Sequence, residues 1–135
     1  MSNIPTIQKL YDAFSRGDVP AILERLSENV EWDYPPTATS VPWLQNHIGR
    51  EQVAEFFQAV AGLEIHEFQP KEFLEAADVV VVLLDVDFTV RETGRRVVEE
   101  DEIHVWRFDK EGKVSRYKHG VDSHKHELAW QNRTQ

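Results

Sequence analysis

Cysteine is absent from the 135 residues, which excludes a disulfide scaffold, a thiol nucleophile and any thiolate metal site. Basic residues are scarce: 15 Lys and Arg stand against 24 Asp and Glu, a formal net charge of −9. A surface of that sign repels nucleic acid and anionic membrane, so neither is expected as a partner. Long apolar runs are missing too. The most apolar, Val79 to Leu84, is far too short to span a bilayer. The opening MSNIPTIQKL lacks the basic start and apolar run of a signal peptide. A cytoplasmic location is therefore expected. There is no glycine-rich phosphate loop and no HExxH spacing, so nucleotide and metal binding are not expected.

What is present fits a globular chain. Hydrophobic residues make up 41% and charged residues 29%, enough for one real core and too short a chain for a second, so residues 1–135 are expected to form a single domain. Asn3 or Thr6 caps a first helix in which Ile7, Leu10, Tyr11 and Phe14 recur at helical spacing, and Gly17 closes it. Asp18 caps a second, short helix with Ile22, Leu23 and Leu26 inward. Val30 to Tyr34 alternates as a strand with Val30, Trp32 and Tyr34 on one face and Asp33 on the other. Residues 35–48 form a loop in which Trp43 reads either as part of a lid or as an anchor to the core. A third helix, GREQVAEFFQAVAGL, carries Val53, Phe56, Phe57 and Val60 on its apolar stripe.

Extended segments follow: Ile65 to Ala76, Val79 to Thr89, and a third that begins near Arg95 after a turn at Glu92-Thr93-Gly94. The valine strand is apolar on both faces at first, so both sides should be covered, one by helices and the other by a second subunit. Homodimerisation through the sheet face is the expectation. The third segment merges into a hairpin, DEIHVWRFDKEGKVSRYKHGVD, whose turn is Lys110-Glu111-Gly112-Lys113. Period-two alternation puts His104, Trp106 and Phe108 on one face. Pairing Phe108 with Ser115 sets Trp106 opposite Tyr117 and His104 opposite His119. The run Glu99 to Glu102 reads as solvated surface or as partners for Arg95, Arg96 and Arg116. The tail, His124 to Gln135, reads as a short helix or a frayed end. Helices followed by long antiparallel strands make an α+β fold, a curved sheet packed against three N-terminal helices with a ligand pocket between the layers.

FSRGDVPAILERLSENVEWDYP, the IGREQVAEFF helix start, the valine strand, HVWRFDKEGKV and YKHGVD together resemble the nuclear transport factor 2-like fold. In particular they resemble its ketosteroid isomerase and polyketide-cyclase-like (SnoaL-like) members. The resemblance implies a cone-shaped, cystatin-like α+β barrel, usually dimeric, with one deep apolar pocket per subunit. It does not imply one activity, because isomerases, cyclases, dehydratases, epoxide hydrolases and non-catalytic binders share the fold. The isomerases' helix-1 tyrosine falls on Leu10, their basic carboxylate on Tyr34 and their protonated aspartic acid on His104. All three positions differ, so ketosteroid isomerase activity is not expected. The aspartate that epoxide hydrolases carry on the last strand falls on His119.

Two imidazoles facing each other suit general acid–base chemistry near neutral pH. His104 and His119 are the expected catalytic pair, with Tyr34 donating to a substrate oxygen. Leu10, Trp32, Trp43, Phe57, Phe88, Trp106 and Tyr117 are expected to line the pocket, and Asp122 to orient a histidine at its rim. A metal would need His104 and His119 with Asp122 or Glu102, but none is expected, nor any other cofactor. The expected activity is isomerase, cyclase or dehydratase-type proton transfer on a small apolar carbonyl or polycyclic molecule. The alternatives are a non-catalytic binder of a small hydrophobic ligand, and a dimeric scaffold whose pocket its own side chains fill.

Overall fold

Pro5 in its opening turn and Gly17 just beyond its end (φ 70°) bound the first helix, α1 (Ile4–Ser15), which buries Ile7, Leu10 and Ala13. This description rests on a computed structural model of the chain, which describes residues 2–33 and 40–131. The Asp18 carboxylate accepts from the Ala21 N–H at 3.2 Å and starts α2 (Val19–Leu23). That helix is shorter than its apolar spacing suggests. Leu26 is not on it but opens strand β1 (Leu26–Asp33), where it is fully buried.

A 3₁₀ turn (Pro42–Leu44) and a short strand β2 (His47–Ile48) precede α3 (Arg50–Val60). Four long strands follow: β3 (Leu63–Ala76), β4 (Val79–Val90), β5 (Arg96–Phe108) and β6 (Val114–Gly120). A final helix, α4 (Ser123–Gln131), closes the described chain. No helix among the described residues is long and apolar enough to cross a membrane.

The six strands form one open, curved sheet in the order β2-β1-β6-β5-β4-β3. Among the described strands only the β1–β6 pair is parallel. With four helices this is an α+β cone in which the sheet curves without closing into a barrel. β3 is an edge strand, which is where Pro70, lacking an N–H, does least harm; a register shift lies beside it.

The concave face carries the core. One row across the sheet reads Trp32, Tyr117, Trp106 and Val80, and the next His119, His104 and Val82. The expected pairs Trp106–Tyr117 and His104–His119 are therefore present. Phe108, however, pairs with Val114 rather than Ser115, because a bulge beside the turn absorbs one residue. Val114 is buried in consequence and Ser115 is not. On the convex face Val79, Val81, Leu83 and Val105 are half-buried, and Leu74 and Ile103 are exposed.

Candidate functional site

Between the concave sheet face and the helices lies a cavity of about 100 Å³, several times what a single water needs. Leu10 of α1, Phe57 of α3, and Trp32, Phe88, Trp106 and Tyr117 of the sheet line it, as does Trp43 from the 3₁₀ turn. His104 and His119 reach its wall as well. Two expected site residues do not appear there. Tyr34 lies outside the described residues. Asp122 is exposed: its carboxylate accepts from the Lys125 N–H at 3.2 Å, in the first turn of α4.

The polar part of the wall is organised by Glu102, a residue the composition of its neighbourhood assigned to the surface. It is 6% exposed. Its Oε2 accepts from His104 Nε2 at 2.8 Å and from His119 Nε2 at 2.7 Å. Burial works to raise this carboxyl's pKa, but the attraction of His119 and hydrogen bonds from both imidazoles outweigh burial and hold it well below the usual carboxylate range. The anion fixes the remaining protons, because an ionised carboxylate can only accept. His104 then carries its proton on Nε2, and its Nδ1 accepts from the Tyr11 hydroxyl at 2.7 Å. Tyr11 in turn accepts from Trp106 Nε1 at 3.1 Å. Burial lowers the pKa of His104 against the pull of Glu102, keeping the ring neutral, and burial pushes Tyr11 far above the ordinary tyrosine value despite the Trp106 bond.

Tyr11 is thus the helix-1 tyrosine of this site, one position after Leu10, where the resemblance placed the family's tyrosine. Its position in the α1 stripe had marked it only as core. The signal was available: Tyr11 is a stripe residue with a hydroxyl, and a buried hydroxyl needs a partner.

A second buried cluster lies beside the first. His126 of α4, 1% exposed, accepts from Trp43 Nε1 at Nδ1 (2.8 Å) and donates from Nε2 to Glu99 Oε1. Glu99 Oε2 also accepts from the backbone N–H of Asp122 at 2.8 Å. Asp122 therefore contributes its backbone to this cluster, and its side chain touches neither His104 nor His119. Trp43 is held as an anchor by the His126 bond and by edge-on packing against Phe88 and Trp130.

Glu99 and Glu102 both face inward although an odd number of residues separates strict alternates. A bulge in β5 explains this. Leu84 pairs with Glu102 and Val86 with Glu99, so Glu100 and Asp101 together oppose Asp85. Asp101 takes φ 60°, and its N–H donates to Asp85 Oδ1 at 3.1 Å. Lys71 clips the outside of the bulge through Asp85 and Asp101, at 2.8 and 2.7 Å. Arg96, expected to pair with this acidic run, instead forms a two-pronged bond to Asp87. Among the described residues two groups of donors are close enough to share an ion: Glu102, His104 and His119, and Glu99, Glu102 and His126, each set with ligand atoms within 4.8 Å of one another.

Residues 7–117 match the SnoaL-like domain family. Among curated proteins no sequence matches this chain. Solved structures do. An NTF2-like protein of unknown function from Burkholderia pseudomallei K96243 is 29% identical, with a TM-score of 0.83 over 96% of this chain and 98% of that one. TerC, co-crystallised with polyporic acid, is 26% identical, with a TM-score of 0.76 over 97% and 96% of the two chains. A protein described as a candidate SnoaL-like polyketide cyclase from Mesorhizobium loti is 16% identical, with a TM-score of 0.71 over 90% and 100%, and shares the fold.

Proposed function

For a chain that belongs to the SnoaL-like domain family, we propose an enzyme that moves protons on a small, neutral, mostly apolar carbonyl or polycyclic molecule, without a cofactor. The reaction class is isomerase, cyclase or dehydratase-type. One observation carries the reading: a single carboxylate oxygen joins two buried imidazoles at the wall of an otherwise apolar cavity. In that setting the His119 imidazole takes or gives the substrate proton, and Glu102 stabilises the imidazolium that forms. His104, Tyr11 and Trp106 form a hydrogen-bonded chain beside the cavity in which the Tyr11 hydrogen is held by His104 Nδ1, so the chain fixes the His104 ring and its tautomer rather than donating to the substrate. No Lys or Arg lines the cavity among the described residues, which disfavours carboxylate or phosphate substrates.

A second reading, a non-catalytic binder of a hydrophobic ligand, is favoured by the saturation of His104. Both its ring nitrogens are already bonded within the chain. The TerC complex with polyporic acid supports ligand binding under either reading. The open cavity speaks against a scaffold filled by its own side chains. The two readings separate in D₂O. An acid–base site exchanges the α-hydrogens of 2-tetralone, followed by mass spectrometry, and His119→Gln abolishes the excess over buffer. A binder quenches tryptophan fluorescence with the same compound and exchanges nothing, which would refute the catalytic reading.

We also propose that two copies pair through the convex sheet face. Leu74, Val81, Leu83, Ile103 and Val105 present a contiguous apolar surface there, of the kind that association covers.

A further inference from the structure

The bulge in β5 turns two carboxylates, Glu99 and Glu102, into the interior, and it does so through a non-glycine residue at positive φ. Backbone strain of this kind persists where the surroundings impose it. The two carboxylates accept from His104, His119, His126 and the Asp122 backbone N–H, and among the described residues no Lys or Arg lines the cavity beside them. The hydrogen bonds also limit the positive charge available. The Nδ1 atoms of His104 and His126 both serve as acceptors, from Tyr11 and from Trp43, which leaves those rings neutral. The ligand atoms of Glu102, His104 and His119 lie together at the cavity wall, and those of Glu99 and His126 lie beside Glu102.

We propose that Glu102, His104 and His119 bind one divalent transition-metal ion of the zinc class. Two imidazole nitrogens and one carboxylate oxygen converge within 4.8 Å. That donor set is the one used by three-ligand sites that keep a coordination position open, and here the open side is the cavity. The protons can rearrange to suit. When His104 Nε2 takes the metal, its proton moves to Nδ1 and the Tyr11 oxygen becomes the acceptor. A ring N–H held by a fixed oxygen is the usual outer-shell arrangement for a metal-bound histidine. Tyr11 still accepts from Trp106, so its own hydrogen turns toward the cavity. Glu99, tied to His126, adds negative charge beside the ion. The inference goes beyond the proton-transfer reading while using the same three residues. Ion and protons compete for the same atoms, so bound metal is expected to suppress the acid–base chemistry.

The test is titration of the chelator-treated protein with Co²⁺, followed by its visible absorption and by the histidine ring signals in NMR. The expected result is one equivalent of Co²⁺ with an intense visible band, displaced by Zn²⁺, and selective paramagnetic broadening of His104 and His119. Glu102→Gln and His119→Gln should each weaken binding by about 100-fold or more. His66→Gln and His124→Gln, at exposed positions, should leave it unchanged. Broadening needs no variant, so a misfolded substitution does not blunt the test. Co²⁺ that remains hydrated, or that broadens His66 and His124 first, overturns the proposal. Exchange of 2-tetralone by metal-free protein is read separately. Exchange without metal binding refutes the ion site alone, and metal binding without exchange refutes the proton chemistry alone.

Discussion

Replacing Glu102 with Gln tests the electrostatic core of the site, because the amide keeps the shape and can still accept from both imidazoles. What it loses is charge. Hydrogen bonds to an ionised group contribute about 1.5–3 kcal/mol each and neutral ones about 0.5–1.5 kcal/mol. Converting the 2.8 and 2.7 Å bonds from the first kind to the second therefore costs about 2–3 kcal/mol at pH 7. In a chain of this size that corresponds to a fall in Tm of roughly 10 °C. The dependence on pH is specific. Because the folded pKa of Glu102 is depressed, its contribution is complete above the unfolded value of 4.5 and is lost as pH falls through the folded value. His104, also depressed, contributes fully above 6.5 and loses that contribution as pH falls below it, in wild type and variant alike. Removing the carboxylate takes away the influence that raises His104, so the variant's loss of stability between pH 7 and 5 should be at least as steep as the wild type's. The gap between the two proteins should hold down to about pH 5 and narrow only below 4.5. Urea unfolding followed by tryptophan fluorescence reads all of this. A difference under about 0.5 kcal/mol at pH 7, or a gap that closes between pH 7 and 6, would mean that Glu102 is not an anion bonded to two imidazoles.

Tyr11→Phe strands the Trp106 N–H and His104 Nδ1 inside the protein; it should cost about 1–3 kcal/mol in urea unfolding and alter the NMR titration of His104. His126→Leu leaves Glu99 without its imidazole and Trp43 without its acceptor. It should cost about 3–5 kcal/mol and raise hydrogen exchange across α4, and unchanged protection there would show that the Glu99–His126 link does not hold that helix. Gly112→Ala places a Cβ at φ 82° with open space around it, so only backbone strain remains, about 1–2 kcal/mol. Ile103→Glu puts a charge into the convex apolar face, at a position 41% exposed in the single chain. Sedimentation should show a wild-type dimer reduced to folded monomer, and a monomeric wild type refutes pairing through this face.

The sheet was legible because its strands obey alternation over long stretches. β4 begins at Val79 as its apolar run suggests, and the turn at Gly112 sits where a positive φ is needed. Facing residues deep in the hairpin follow from the turn by counting, and the count survives the bulge at Ser115 because the bulge lies next to the turn. Leu26 was misplaced for a simple reason. Ile22, Leu23 and Leu26 satisfy helical spacing, yet the helix ends at Leu23, and the Leu26 carbonyl is bonded instead to the Arg50 guanidinium at 2.9 Å. A partner 24 residues away is not visible in a local window.

The histidines could be found from the sequence and their partner could not, although parity alone was enough to find it. His104 faces inward, so Glu102, two residues earlier, must face inward as well. What hid it was its company. A run of Glu-Glu-Asp-Glu reads as solvated because burying an isolated carboxylate costs far more than it returns. The partners that make burial tolerable come from elsewhere, His119 from the neighbouring strand and, for Glu99, His126 from a helix beyond it. Glu99 is harder still. Parity puts it outside, and the bulge that brings it in is formed without a glycine to announce it. Here the chain departs from alternation, places a non-glycine residue at positive φ and buries two acids, all within four residues. Stability alone gives no reason to combine those departures, and they are expected where function constrains the backbone. Under the proposed proton-transfer reading, the working groups are expected along Glu99 to His104 of β5 rather than in the aromatic walls, which would fill the core of a binder equally well.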